Sequence, residues 1–298
     1  MESVYTILLF YKYVRIKDPE LVKEQQKSVC EAFGFKGRII IAQEGINATF
    51  EGKIEDVEKY IIWMKQDKRF KDTHWKKSIG IGDAFPKLSV KVRNEIVSLH
   101  VVDGGTDINP KIITGKRLKP KKLDKWYKEG KEFYVVDMRN DYELKSGCFK
   151  DTIFPGLKNF RDLRDKITEI DHLKDKTVLI VCTGGVRCEK ASGLLVQQGF
   201  KDVYQLDGGI VSYMEQFPGQ AFEGSLYVFD KRTLITYDDP ANHTVIGKCD
   251  FCDTSTETYY DCNYPICHSQ FLACNDCIEK SGGFCKTYCE KKFSNVTT

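Results

Sequence analysis

No stretch of this 298-residue chain approaches the roughly 20 consecutive apolar residues that a helix needs to cross a bilayer, so no membrane role is expected. A strong charge of either sign is missing too: 46 Lys and Arg stand against 43 Asp and Glu, a formal net charge of +3. That balance excludes a bulk polycation, and any contact with nucleic acid has to come from local patches. The start, Met1-Glu2-Ser3-Val4-Tyr5, lacks the basic region and cleavage site of a secretory signal, which predicts a cytoplasmic protein. Internal repeats, low-complexity tracts, a flavin fingerprint and a clear non-haem iron triad are also absent, so no organic cofactor is expected.

What the chain does have is enough apolar sequence for ordinary cores, 41% hydrophobic against 30% charged residues, and a length that suits two full domains. It also has twelve cysteines, unevenly placed. Cys30, Cys148, Cys182 and Cys188 are scattered over the first 248 residues, and the other eight lie between Cys249 and Cys289. In a reducing cytosol such crowding points to metal or redox chemistry before disulfides.

Periodicity divides the chain into an α+β part, an α/β part and a cysteine-rich end. Residues 1–100 follow the order β-α-β-β-α-β of a ferredoxin-like unit. Strands are expected over 6–14, 38–42 and 88–99, with a turn at Gly45-Ile46-Asn47 before Ala48-Thr49-Phe50. Helices are expected over 19–33, with Leu21, Val22, Val29 and Phe33 inward, and over 55–65, with Val57, Tyr60, Ile61 and Met64 on one face. Residues 101–122 read as a basic linker that includes Lys116 and Arg117. Residues 123–220 alternate strands (133–137, 177–182, 203–206) with a helix over 189–198, which predicts a mainly parallel sheet covered on both faces. Residues 221–298 open with the strand-like Ser225-Leu226-Tyr227-Val228-Phe229-Asp230 and carry the cysteine cluster.

The sharpest local pattern is Cys182-Thr183-Gly184-Gly185-Val186-Arg187-Cys188. An apolar strand ends on cysteine, a glycine loop follows, and a helix begins. Open α/β sheets place their sites at that carboxyl end. Loop N–H groups turned inward, a helix N-terminus and the Arg187 guanidinium all favour thiolate over thiol. Gly184 and Gly185 fit a tight loop with unusual dihedrals and close backbone approach. The alternative is a structural turn with a buried cysteine. Cys188 is either a partner that resolves an oxidised Cys182 or a small buried helical residue.

The final cysteines form four pairs: Cys249 with Cys252, Cys262 with Cys267, Cys274 with Cys277, and Cys285 with Cys289. Two such pairs complete one tetrahedral thiolate site, so eight cysteines fit two structural zinc ions, with His268 as a substitute ligand. First with third and second with fourth is one pairing, and consecutive pairing is the other. Basic residues supply a different expectation. Lys87, Lys91 and Arg93 share one face of a strand by the period of two. With Lys116, Arg117, the basic run over residues 65–77 and the nearby Trp63 and Trp75, they suit RNA phosphates and an unpaired base. A solvated lysine-rich surface over core tryptophans is the alternative.

Residues 123–218 resemble a rhodanese domain. Residues 182–187 look like its six-residue active loop, with Cys182 as a nucleophile able to carry a persulfide. Asp137-Met138-Arg139-Asn140-Asp141-Tyr142-Glu143 resembles the family's "DVR…E" stretch, and Leu206-Asp207-Gly208-Gly209-Ile210 its late "L.GG" turn. The chain departs from the pattern in having Gly147-Cys148 where the family often has Gly-His. Four residues separate Cys182 from Arg187, one fewer than related phosphatases need, so phosphatase activity is not expected.

Three stretches narrow the resemblance: Ile39-Ile40-Ile41-Ala42-Gln43-Glu44-Gly45-Ile46-Asn47-Ala48-Thr49, Lys91-Val92-Arg93-Asn94-Glu95-Ile96-Val97, and Cys182-Thr183-Gly184-Gly185-Val186-Arg187-Cys188-Glu189-Lys190. With the cysteine cluster they are similar to the oxygen-dependent tRNA uridine-34 hydroxylase family over nearly the whole chain. The resemblance implies an acylphosphatase-like first domain, although no arginine-bearing phosphate loop is present for acyl-phosphate hydrolysis. It further implies tRNA as substrate, molecular oxygen as co-substrate and conversion of the wobble uridine to 5-hydroxyuridine. Within that reading Cys182 is expected to be the essential residue, with Arg187 and the loop amides stabilising anionic species. Either the thiolate adds to the pyrimidine ring or an oxidised sulfur delivers the oxygen. Sulfur transfer through a Cys182 persulfide, and a non-catalytic adaptor, are the competing readings.

Overall fold

A computed structural model describes residues 4–99 and 108–294. Residues 1–3, 100–107 and 295–298 lie outside the described residues, and with them the first part of the expected 101–122 linker. The first domain contains β1 (Tyr5–Tyr13), α1 (Pro19–Ala32), β2 (Lys36–Ala42), β3 (Gly45–Lys53), α2 (Ile54–Gln66), β4 (Lys76–Ile79) and β5 (Leu88–Val92). Asp18 starts α1 by accepting the Leu21 N–H, with Pro19 in the first turn. The strands form one sheet in the order β4-β1-β3-β2-β5, antiparallel except for the β2–β5 pair.

Strand alternation gives this sheet two different faces. Leu8, Phe10, Ile39, Ile41, Ala48 and Phe50 pack with Val22 and Cys30 of α1 and with Val57, Tyr60, Ile61 and Met64 of α2. Leu9, Tyr11, Arg38, Ile40, Asn47 and Thr49 occupy the opposite face, which no helix of this domain covers.

Several expectations need correction. The last strand of the split unit is β4, not residues 88–99; its Lys-Lys-Ser-Ile sequence carries no apolar run, and it is held by pairing with β1. Residues 88–92 add a fifth strand at the far edge beside β2. The hairpin turns at Gln43-Glu44, with Gly45 already in β3, where a Cβ would lie 2.0 Å from the Lys12 carbonyl oxygen. Leu21 is 55% exposed, because α1 turns Val22, Gln26 and Cys30 inward instead.

The second domain runs through β6 (Lys116–Leu118), α3 (Pro120–Lys128), β7 (Tyr134–Asp137), α4 (Asp141–Leu144), β8 (Gly147–Phe149), α5 (Leu163–Lys166), β9 (Thr177–Val181), α6 (Val186–Gln197), β10 (Asp202–Leu206) and α7 (Gly209–Gln216). Its sheet, in the order β6-β10-β9-β7, is wholly parallel. Leu123 and Trp126 of α3 and Ile210 and Met214 of α7 cover one face, and Leu163 of α5 and Ala191 and Leu194 of α6 cover the other. The expected linker is therefore structured where it is described: residues 116–118 are the edge strand β6, and Pro120 begins α3.

The third part contains β11 (Phe222–Gly224), β12 (Leu226–Tyr227), β13 (Leu234–Ile235), β14 (Tyr259–Asp261), β15 (Gln270–Leu272), α8 (Asn275–Lys280) and α9 (Thr287–Ser294). The strand expected over residues 225–230 is only the two residues of β12. β11 pairs with β8, the Tyr259 hydroxyl donates to the Tyr142 carbonyl at 2.6 Å, and Lys145 pairs with Asp250 at 2.5 Å. Among the described residues no helix is long and apolar enough to cross a membrane.

The uncovered face of the first sheet rests on the start of α6. Lys190, whose side chain is wholly buried, pairs with Glu44 at 2.9 Å and Glu95 at 2.7 Å. The Tyr13 hydroxyl donates to the Val186 carbonyl, and that of Tyr11 donates to Glu189 at 3.0 Å.

Candidate active site

The apolar strand β9 ends at Val181, leaving Cys182 at the carboxyl end of the parallel sheet and wholly buried. The N–H groups of Ile210 and Val211, in the first turn of α7, donate to the Cys182 and Thr183 carbonyls. The Gly185 N–H donates to Cys182 Sγ at 3.2 Å. Gly185 has φ of +97°, so a side chain there would be strained. Gly184 is required for a different reason: a Cβ on it would come within 2.8 Å of Leu9 Cδ2. The first domain thus lies directly against the loop, a constraint that loop geometry alone does not reveal.

Arg187 forms a two-pronged pair with Glu143, at 2.5 and 2.8 Å, and also donates to the Thr183 hydroxyl at 3.2 Å. Asn140 starts α4, and its N–H donates to Glu143, fixing the carboxylate that meets Arg187. Beneath them Arg139 and Asp137 form a second pair with no exposure, and Arg139 also donates to the Glu143 and Gly147 carbonyls. The Asp137–Glu143 stretch is therefore a scaffold that holds Arg187. Because Glu143 largely neutralises Arg187, the loop amides and the Cys188 thiol carry more of the anion stabilisation than the sequence suggests.

Burial raises the Cys182 thiol. The Cys188 S–H donating to it, the Arg187 guanidinium and the backbone N–H groups of Cys188 and Gly185 outweigh burial, bringing its pKa from the ordinary 9.0 down to about 6. Burial and the neighbouring Cys182 push Cys188 well up, so it remains a thiol. At neutral pH Cys182 is a thiolate with a protonated thiol beside it.

In front of the loop is a cleft of about 490 Å³, within the usual range for small-molecule sites. Leu9, Tyr11, Arg38, Ile40, Asn47 and Thr49 of the first sheet form one wall. Thr183, Gly184, Val186 and Arg187 form the opposite wall, while Asn140, Asn159, Phe160, Arg161, Phe85 and Phe229 complete the rim. The mixture of flat apolar groups, amides and arginines suits a polar aromatic ring attached to an anionic chain. Sequence reasoning missed Tyr11, Arg38, Asn47 and Phe229 as site residues. Strand alternation placed the first three together, but nothing local indicated which element they would face.

Lys87, Lys91 and Arg93 are exposed. In the β2–β5 register Ser89 pairs with Arg38 and Lys91 with Ile40, so Lys91 shares the cleft-side face and Arg93 continues it. Lys116 is paired with Asp202, and Arg117 with Glu189 and Asp207. Trp63 and Trp75 pack against the first core, Trp75 lying 4.6 Å from the Phe10 ring. The cleft aromatics are instead Tyr11, Phe85, Phe160 and Phe229.

The C-terminal cysteines gather into two groups, Cys249, Cys252, Cys274 and Cys277, and Cys262, Cys267, Cys285 and Cys289, with all sulfurs of each group within 4.8 Å of one another. First pairs with third and second with fourth, and His268 belongs to neither group. Separations of 3.7 Å for Cys252–Cys274, 3.6 Å for Cys267–Cys285 and 3.8 Å for Cys285–Cys289 match the roughly 3.8 Å between thiolates around one tetrahedral ion. Either group can hold a metal ion.

Residues 5–96 match the family described as a UPF0176 acylphosphatase like domain, residues 119–216 a Rhodanese-like domain and residues 223–290 Rhodanase C-terminal. A protein of Cytophaga hutchinsonii named tRNA uridine(34) hydroxylase is 42% identical over 288 residues, covering 96% of this chain and 90% of its own. Proteins of the same name are 41% identical in Staphylococcus haemolyticus, covering 98% of this chain and 90% of theirs, and 40% identical in Bacillus velezensis, covering 99% and 91%.

The electrostatics of the loop yield a direct check. Alkylation of Cys182 by iodoacetamide, followed by mass spectrometry of its peptide, is expected to rise with a midpoint near pH 6. Cys188→Ala removes a donor to the thiolate and should move that midpoint upward; an unmoved midpoint would show that the Cys188 thiol does not stabilise Cys182.

Proposed function

The chain belongs to the tRNA uridine(34) hydroxylase family, and we propose that its reaction takes place in the cleft between the first sheet and the Cys182 loop. It is a tRNA-modifying enzyme that hydroxylates the wobble uridine to 5-hydroxyuridine. The observation that carries the placement is that the loop following Cys182 lines one wall of a cleft, through Thr183, Gly184, Val186 and Arg187, while the first domain lines the other, with the Cys182 thiolate buried directly behind the loop. The uridine leaves its stack to enter, its ring lying among Tyr11, Phe160 and Phe229 with the Asn47 and Asn140 amides at its polar edge. Arg38, Lys91 and Arg93 follow the flanking phosphates along the β2–β5 edge, and Arg161 meets them from the second domain. Lys116 and Arg117, already ion-paired, serve the second domain's own structure.

In this reading the Cys182 thiolate adds to C6 of the ring, which makes C5 electron-rich. C5 then takes an oxygen atom, loses its proton, and the thiolate departs from C6. Dioxygen is the proposed co-substrate: one atom becomes the hydroxyl, and the other leaves as water with two electrons from an external reductant and two protons. Arg187 and Glu143 hold the loop in shape, and the loop amides steady negative charge beside the sulfur. The competing sulfur-transfer reading rests on loop length alone and is not favoured by the names of the full-length relatives.

The two four-cysteine groups are proposed to bind structural zinc, supplying the crosslinks that a segment with little apolar core requires. Through Tyr259 and Asp250 they brace Tyr142 and Lys145, which flank Glu143 and α4. The proposed location is the cytoplasm, where free tRNA and reduced thiols coexist.

Three measurements test these assignments. In cells lacking the protein, nucleoside mass spectrometry should show loss of 5-hydroxyuridine-derived nucleosides, restored by wild type and not by Cys182→Ala; restoration by the variant would remove Cys182 from the reaction. Replacing Lys91 and Arg93 by Ala should weaken tRNA binding and flatten its log–log salt slope by about 1.4, whereas an unchanged slope would take both residues off the RNA surface. Elemental analysis of protein purified under reducing conditions should find two zinc ions per chain, and metal-free protein with eight free thiols in this region would contradict the zinc assignment.

A further inference from the structure

The cleft accounts for the face of the loop that meets substrate, but beside it, on the same face of the first sheet as Leu9, lies a group not yet given a task. Lys76 of β4 is only 5% exposed, although the sequence places it in a run of surface-like lysines. Its Nζ donates to the Gly184 carbonyl at 2.7 Å and lies 5.2 Å from the centre of the Tyr11 ring. Among the described residues no carboxylate forms an ion pair with it. Burying an unpaired ammonium is costly, and burial indeed draws its pKa down to about 8. A lysine kept there at such cost, with its head on a loop carbonyl, acts on the loop.

The Gly184 carbonyl and the Gly185 N–H are the two ends of one peptide group, which is planar and trans, so they point in opposite directions. Lys76 holds the oxygen end, and the N–H end points at Cys182 Sγ, 3.2 Å away. Glycine on both sides of this peptide leaves it free to rotate, so an external hold is needed to keep the N–H on the sulfur. We propose that Lys76 is a positioning residue for the nucleophile: its ammonium fixes the Gly184 carbonyl so that the Gly185 N–H stays aimed at the Cys182 sulfur. The first domain thereby sets the state of the second domain's thiolate, and the site is incomplete without it.

This inference rests on Cys182 being the reactive thiolate, and the experiment separates the two. The other groups facing Cys182 are Arg187 and Cys188 of α6 and Tyr11 of β1, with Glu143 of α4 acting on Arg187 and Asp137 of β7 on Arg187 and Cys188. Lys76 is faced by Cys182 itself, by Asp207 just before α7 and Glu215 in its last turn, by Glu189 of α6 and by the neighbouring His74. The full-length protein is alkylated with iodoacetamide across pH in wild type, Lys76→Met, Lys76→Arg and Lys76→Gln, and modification of the Cys182 peptide is read by mass spectrometry.

Lys76→Met should raise the Cys182 midpoint by about one pH unit. Lys76→Arg, which keeps charge and donor, should restore it. Lys76→Gln, which keeps a donor without charge, should lie closer to wild type than Met does. An unmoved midpoint in folded Lys76→Met, or Gln behaving as Met, overturns the proposal. If Met does not fold, Gln and Arg are read against wild type, and a midpoint in Arg displaced as far as in Gln overturns it. A wild-type midpoint near the 8.5 of free cysteine instead overturns the reading of Cys182, and the proposal with it. Because Lys76 is buried, tRNA affinity and salt slope should stay within about twofold in Lys76→Met; a flattened slope with an unmoved midpoint would make Lys76 a phosphate contact and overturn the positioning role.

Discussion

Lys190 has no exposed side-chain surface, yet it carries a charge, and its two carboxylate partners among the described residues belong to another domain. Glu44 comes from the two-residue turn between β2 and β3, and Glu95 from the segment after β5. A buried ammonium is tolerated only when it is paired and hydrogen-bonded, and removing one side of such a pair costs about 3–5 kcal/mol. The pairing therefore works as a lock with a defined register. Glu44 also accepts the Ile96 N–H at 2.7 Å, and Asn47 donates to the Ile96 carbonyl, so the lock fixes turn and segment together. Everything in the site follows from that seating: Leu9 and Tyr11 press on the two glycines, Lys76 reaches the Gly184 carbonyl, and the cleft acquires its second wall.

Within that frame, charge is balanced in layers. Asp137 and Arg139 form a closed pair at the base, and Glu143 and Arg187 a second pair above it. Neither pair leaves a strong free charge at the sulfur. The thiolate is held by the Cys188 S–H, by the part of the Arg187 charge that Glu143 leaves unbalanced, and by the backbone N–H groups of Cys188 and Gly185, none of which requires a counter-ion to enter from solvent. A thiolate arranged this way is stabilised entirely by groups of the protein itself. The distal cysteine groups serve the same geometry from outside, since their module grips Tyr142 and Lys145 around Glu143.

Much of this was legible from the sequence, and the boundary is physical. The parallel sheet, the loop and Cys182 were readable because an apolar strand, glycines and a helix start are contiguous. The interleaved cysteine pairing was one of two open options, and only three-dimensional proximity selects it. β4 was not readable, because Lys76-Lys77-Ser78-Ile79 has no apolar alternation and is a strand only by virtue of its pairing with β1. For the same reason Lys76 looked like surface charge. Glu44, Glu95 and Lys190 sit inside the three stretches that carry the family resemblance, but their joint reason, one buried ion cluster across a domain boundary, is invisible in any single stretch. Leu21 shows the converse: an apolar residue at a plausible helical position that the actual face of α1 leaves in solvent.

The central claim is that the uridine at position 34 reacts between the two domains, against the Cys182 loop. Zero-length photocrosslinking with tRNA carrying 4-thiouridine at that position tests it most directly, with the crosslinked peptides mapped by mass spectrometry. Crosslinks should fall on both walls, on peptides containing Tyr11 or Asn47 from the first sheet and Thr183 or Phe229 from the other side. Crosslinks confined to one domain, or to surfaces away from the cleft, would contradict the account.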